Sequence, residues 1–123
     1  MTLQNLYEIL STTDFPVYQF ESKSDFENDQ RVFPYIVFEP NMTTFNMSSG
    51  TIWRKITGIN ILLFSRLQSH TVDAEKLEKV LIINKLIPTI TYYWSPDDNI
   101  FTTVFDISIT QEIDPETREN FNA

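Results

Sequence analysis

From Ile100 to Thr110 the chain alternates. Phe101, Thr103, Phe105, Ile107 and Ile109 share one parity; Thr102, Asp106, Ser108 and Thr110 share the other. A period of two puts the first set on one face of a β-strand and the second set on the opposite face. A strand of this kind needs hydrogen-bonded neighbours and a cover for its apolar side, so the remaining sequence has to supply both.

Neighbours are available. Thr89 to Trp94 reads as a strand with Ile90, Tyr92 and Trp94 on one face. It is separated from Ile100 by Ser95-Pro96-Asp97-Asp98-Asn99, a turn that returns the chain antiparallel. Thr51 to Ser65 is the longest extended run. Trp53, Ile59, Ile61 and Leu63 lie on one side of it and Ile52, Ile56, Leu62 and Phe64 on the other, with Gly58 marking a bulge or bend. Phe33 to Phe38 is apolar on both faces, which places it near the sheet centre, with Pro34 at its start where a missing N–H costs least. Phe15 to Phe20 reads as a further short strand.

The cover comes from two helical periodicities. Leu3, Leu6, Tyr7 and Leu10 form one stripe, with Thr2 as N-cap and Ser11 to Asp14 followed by Pro16 as the stop. The second helix spans about 72–86, capped by Thr71 or Ser69, with Ala74, Leu77, Val80, Leu81 and Leu86 facing the core and Pro88 ending it. The resulting order is α-β-β-β-α-β-β. It predicts an α+β fold: a single mixed or antiparallel sheet with two helices on one face. Residues 1–111 form one domain, residues 112–123 form an acidic C-terminal tail, and residues 21–31 and 40–50 are read as polar loops.

Composition matters most for chemistry. The 123 residues contain no Cys, one His and two Gly. That removes disulfides, thiol nucleophiles, Cys-based metal sites and any glycine-rich phosphate loop. His70 reads as a solvated residue in a polar loop. Asp97 and Asp98 read as turn formers, and Glu21, Asp25, Glu27 and Asp29 as a disordered or partner-facing loop without the glycine and spacing of a calcium site. Arg54 and Lys55 beside Trp53 read as a strand end, since two bases release too few counterions for nucleic-acid binding. No catalytic residue, cofactor or metal is expected, and the chain is read as a non-enzyme.

The net charge is −8 and is unevenly spread. Residues 1–49 carry seven acids against two bases, residues 50–95 three against six, and residues 96–123 seven against one. Such a chain repels phosphate backbones, while a basic band between acidic regions suits contact with copies of itself. No run approaches the roughly 18 apolar residues of a membrane span, and the first residues lack the basic, apolar pattern of a leader. The expectation is a protein that stays in the cytoplasm where it is made, with no membrane and no sequence-specific nucleic-acid partner. The 21–31 and 40–50 segments and the tail are many polar excursions for so short a chain, and such segments commonly become ordered on a neighbour in an assembly.

The order of elements resembles the small tail terminator (tail completion) proteins of long-tailed bacteriophages, especially those of low-GC Gram-positive hosts. The likeness spans about 3–110. It rests on the amphipathic start Leu3-Gln4-Asn5-Leu6-Tyr7-Glu8-Ile9-Leu10, on Phe15-Pro16-Val17-Tyr18 before an acidic loop, and on Phe33-Pro34-Tyr35-Ile36-Val37-Phe38. The long strand, the charged helix ending in Leu86-Ile87-Pro88, and Phe105-Asp106-Ile107-Ser108-Ile109 complete it. The resemblance implies a virion protein: a homohexameric ring at the head-proximal end of the tail tube. Its partners would be itself, the tail tube protein and the head–tail connector protein. A connector or neck ring protein is the alternative within the same class, and a cytosolic small-molecule binding domain is the alternative outside it.

The residues themselves nominate contact points. Met42, Phe45 and Met47 are apolar side chains in an otherwise polar segment and would anchor a partner. Glu112, Asp114, Glu116 and Glu119 are expected to reach a basic strip containing Arg54, Lys55 or Arg66 on a neighbouring subunit.

Overall fold

Thr2 and Asn5 close a capping box at the start of the first helix. Thr2 Oγ1 accepts from the Asn5 N–H at 3.1 Å, and Asn5 Oδ1 accepts from the Thr2 N–H at 2.9 Å. In this computed structural model, which describes residues 1–19, 33–48, 52–66, 68–96 and 99–113, that helix is α1 (Leu3–Ser11). It is followed by β1 (Val17–Gln19), β2 (Tyr35–Ser48), β3 (Ile52–Arg66), α2 (His70–Ile83), β4 (Thr89–Ser95) and β5 (Ile100–Ile113). The five strands form one sheet in the order β1-β2-β3-β5-β4. β1 runs parallel to β2 and every other pair is antiparallel, so the sheet is mixed and the α+β class holds.

The core follows the alternation. Ile36 and Phe38 of β2, Ile59, Ile61 and Leu63 of β3, and Phe105, Ile107 and Ile109 of β5 are buried in one cluster with Leu6 and Leu10 of α1 and Ala74, Leu77 and Leu81 of α2. The other face of β2 is also closed. Tyr35 is buried and stacks on Phe64 with ring centroids 4.8 Å apart, and Tyr18 meets Tyr35 edge-on at 6.1 Å. That explains why β2 reads as apolar on both faces.

Three expectations need correction. The second helix ends at Ile83, before Leu86, because the chain turns through a Schellman motif. The Leu86 N–H donates to Leu81 O and the Lys85 N–H to Ile82 O, both at 2.9 Å, with Lys85 left-handed at φ 63°. Leu86 is buried beside Leu81, but as the second residue after the Asn84 cap and not as part of the helix. Residues 40–48 are not a polar loop, since β2 continues through Asn41 to Ser48 in register with β3 as far as Ser48↔Ile52; residues 49 and 50 lie outside the described residues. Their Asn and Ser are turn formers in isolation, but the paired β3 run Ile52–Thr57 imposes an extended partner, and Thr and Phe suit a strand. The tail does not begin at residue 112: β5 runs to Ile113, and Gln111 is buried.

The bulge foreseen at Gly58 lies on the opposing strand. The register shifts between Pro40 and Met42, which leaves Asn41 as the extra residue. Its side chain lies over Gly58 and donates from Nδ2 to Asn60 Oδ1 at 2.9 Å; a Cβ on Gly58 would come within 2.5 Å of Asn41 Oδ1. The missing side chain is therefore what lets the bulged Asn fold back across β3.

Candidate assembly surface

Past the bulge, β2, β3 and β5 continue as a three-stranded extension. On the face that carries the helices, successive rungs are Thr43–Thr57–Ile109, Phe45–Lys55–Gln111 and Met47–Trp53–Ile113. The same face closer to the helices is sealed at Phe38–Ile61–Phe105. In the extension, Phe45 is 53% exposed and Met47 61%, with Trp53 and Ile113 half-buried beside them. The bulge reverses the parity of β2, so Met42, 66% exposed, projects from the opposite face. Met42, Phe45 and Met47 are therefore all exposed, on a paired strand, but they do not form one patch.

The expected charge contacts change more. Arg54 and Glu112 are direct register partners on adjacent strands of one chain, so Glu112 is not free to reach a neighbour's Arg54 from a tail. Lys55 points to the other face, between Phe45 and Gln111. Arg66 ends β3, about 40 Å of strand away from Arg54, with its guanidinium 4.3 Å from the centre of the Phe33 ring. The three bases do not make a strip. Asp114, Glu116 and Glu119 lie outside the described residues, as do Asp97, Asp98 and residues 21–31.

His70 is not in a solvated loop. It opens α2, half-buried, and stacks on Phe101 with ring centroids 4.0 Å apart. The adjoining groove, about 380 Å³, is lined by Thr71, Glu75, Glu78, Ile90 and Tyr92 besides the two rings. The histidine packs a helix start against the β4–β5 corner. Among the described residues, no group of three or more His, Asp or Glu is placed to hold a metal ion.

Two exposed apolar surfaces escaped the sequence reading. Edge strand β4 exposes Tyr92 and Tyr93 by more than half and Trp94 by 42%. α2 exposes Val72, Ile82 and Ile83 around an open shelf of about 580 Å³ that also includes Glu75, Lys76, Glu78 and Lys79. The signal for the second was present: the consecutive Leu81-Ile82-Ile83 makes the last turn of the helix apolar all round, beyond what one core-facing stripe needs. No helix among the described residues is long and apolar enough to cross a membrane. No protein-family model matches the chain, and no curated protein is detectably similar to it in sequence.

Proposed function

We propose that this chain is a non-enzymatic structural subunit of a long-tailed phage virion, a terminator that assembles as a closed homohexameric ring on the head-proximal end of the tail tube. Made in the host cytoplasm, it stops tube growth there and presents the joining surface for the head connector. The identity comes from the resemblance in element order. The physical support is the helix-free extension: a rigid, hydrogen-bonded platform that holds Phe45 and Met47 in solvent. Exposed apolar groups on a rigid base are what a docking surface needs, because little further ordering is lost when a partner covers them. A cap also needs two unlike faces, one for the tube and one for the connector, and a cyclic ring supplies them because all subunits point the same way along the axis.

The test is removal of the chain from the phage, read by electron microscopy of the lysate. A terminator's loss gives tubes of uncontrolled, excessive length that carry no heads. Headless tails of normal length would instead assign the chain to the connector or neck. Normal infectious particles would end both readings.

A further inference from the structure

β1 pairs only with Ile36–Phe38 of β2, so beyond Pro40 the outer edge of β2 has no strand beside it among the described residues. The outer edge of β4, at the other side of the sheet, likewise has no strand beside it among the described residues. An open edge is a row of backbone donors and acceptors ready to pair, and monomeric proteins blunt such edges with charge, with proline or by keeping them short. On β2 such devices, Pro40 and the bulge at Asn41, stand only where the open stretch begins, and β4 carries neither. Asn41-Met42-Thr43-Thr44-Phe45-Asn46-Met47-Ser48 and Thr89-Ile90-Thr91-Tyr92-Tyr93-Trp94-Ser95 contain no charged residue and no proline. Both are about 25 Å long.

We infer that the ring closes by β-augmentation between copies: the outer half of β2 in one subunit pairs with β4 of the next. This rests on the ring reading above and names its interface. The occupant of each edge is a second copy because one chain carries both halves of the seam, at opposite edges of one sheet. Pairing them head to tail engages the outer half of β2 and all of β4 in every subunit, and a heterologous contact of this kind closes into a ring where the rotation per subunit divides a full turn. A two-fold pairing of β4 with β4 would leave each β2 edge open. The side chains agree with the head-to-tail arrangement. Phe45 and Met47 share the helix-bearing face with Tyr92 and Trp94, whose register partners are Thr103 and Phe101. A sheet continued across the seam places these four exposed groups together in one apolar strip, where each removes another from water.

The chain contains no Cys, so introduced thiols report only on their own positions. Asn46→Cys and Tyr93→Cys lie on the opposite face from that strip, one on each edge. The full-length variants are mixed, treated with a short thiol–thiol cross-linker, and sized beside the untreated wild type by native mass spectrometry. Thr44→Cys with Thr91→Cys is the second pair, in case one position perturbs folding. The inference expects covalent dimers at least tenfold more abundant in the mixture than in either variant alone, and closed covalent rings from the double variant. Dimers from Tyr93→Cys alone would show a two-fold contact and overturn the inference. Rings in the wild type with no cross-link from either pair would leave the ring and refute this interface. A wild type that stays monomeric up to millimolar concentration would refute ring closure through these edges, whereas loss of the terminator reading itself is read from tail length and not from this assay.

Discussion

The sheet has two halves built from the same three strands, and their fates differ. Near the helices, Phe38, Ile61 and Phe105 form a rung that is essentially inaccessible to solvent. Four rungs further along the same face, Met47, Trp53 and Ile113 have no helix above them among the described residues, and Met47 is 61% exposed. The pairing of the three strands carries on past the bulge at Asn41, and the end rung is as apolar as the buried one, although Thr43, Thr57, Lys55 and Gln111 lie between them. What differs is the reach of the cover: α1 and α2 supply Leu6, Leu10, Leu77 and Leu81 to the first half only. Apolar patterning therefore marks which face of a strand wants burial, and the length of the covering helices decides whether the same molecule provides it. Where it does, the pattern contributes stability; where it does not, the apolar groups stay in solvent.

The sharpest way to break this comparison is one substitution made twice. Phe105→Ala should cost about 3–5 kcal/mol, the usual range for a buried aromatic, and Leu77→Ala about 2–5 kcal/mol. Phe45→Ala should stay within about 0.5 kcal/mol. Chemical denaturation of each variant, at a dilution where the chain is monomeric, measures all three. A large loss at Phe45 would mean that the extension belongs to the folding core.

Three smaller effects sharpen the picture of the helix-backed half. Lys85 holds a left-handed conformation that an L side chain adopts at a cost, so Lys85→Gly should raise stability by about 1 kcal/mol. Thermal melting checks it, and a decrease would argue that the Lys85 stem packs on the surface. Thr103 Oγ1 is buried with no hydrogen-bond partner among the described protein atoms. Thr103→Val keeps the shape and removes the unsatisfied hydroxyl, so it should gain up to about 1 kcal/mol. His70→Ala forfeits the stack on Phe101 and should lose about 0.5–1.5 kcal/mol, leaving assembly intact.

The legibility of the sequence divides along the same line as the sheet. α1, its Thr2 cap, the inward face of β5 and the antiparallel return into it were readable because a strong local period and a local cap agree. The extension was not. Asn41, Asn46 and Ser48 look like turn residues, and only their pairing with β3, a non-local contact, makes them a strand. That error moved the charges as well. With β5 carried on to Ile113, Glu112 becomes the cross-strand neighbour of Arg54, so a truncation meant to remove a free tail has to end after Ile113 to leave the sheet whole. His70 was misplaced for a related reason, since its stacking partner lies 31 positions along the chain and no local pattern points to it. Of the nominated contact residues, Met42, Phe45 and Met47 were found as exposed apolar groups, while which face each occupies depends on the bulge at Asn41, which the sequence marks only through Gly58 on the facing strand.

The measurement that bears most directly on the division of labour is the size and stability of the full chain beside Phe45→Ser/Met47→Ser. Native mass spectrometry reads the first at high concentration, and thermal melting reads the second at a dilution where both are monomers, because assembly itself raises the melting point by mass action. The account predicts a six-subunit ring for the wild type, a monomer for the double variant, and coincident melting curves. A double variant that assembles like the wild type, or one that melts well below it when both are monomeric, would contradict the claim that the helix-free half serves assembly and not folding.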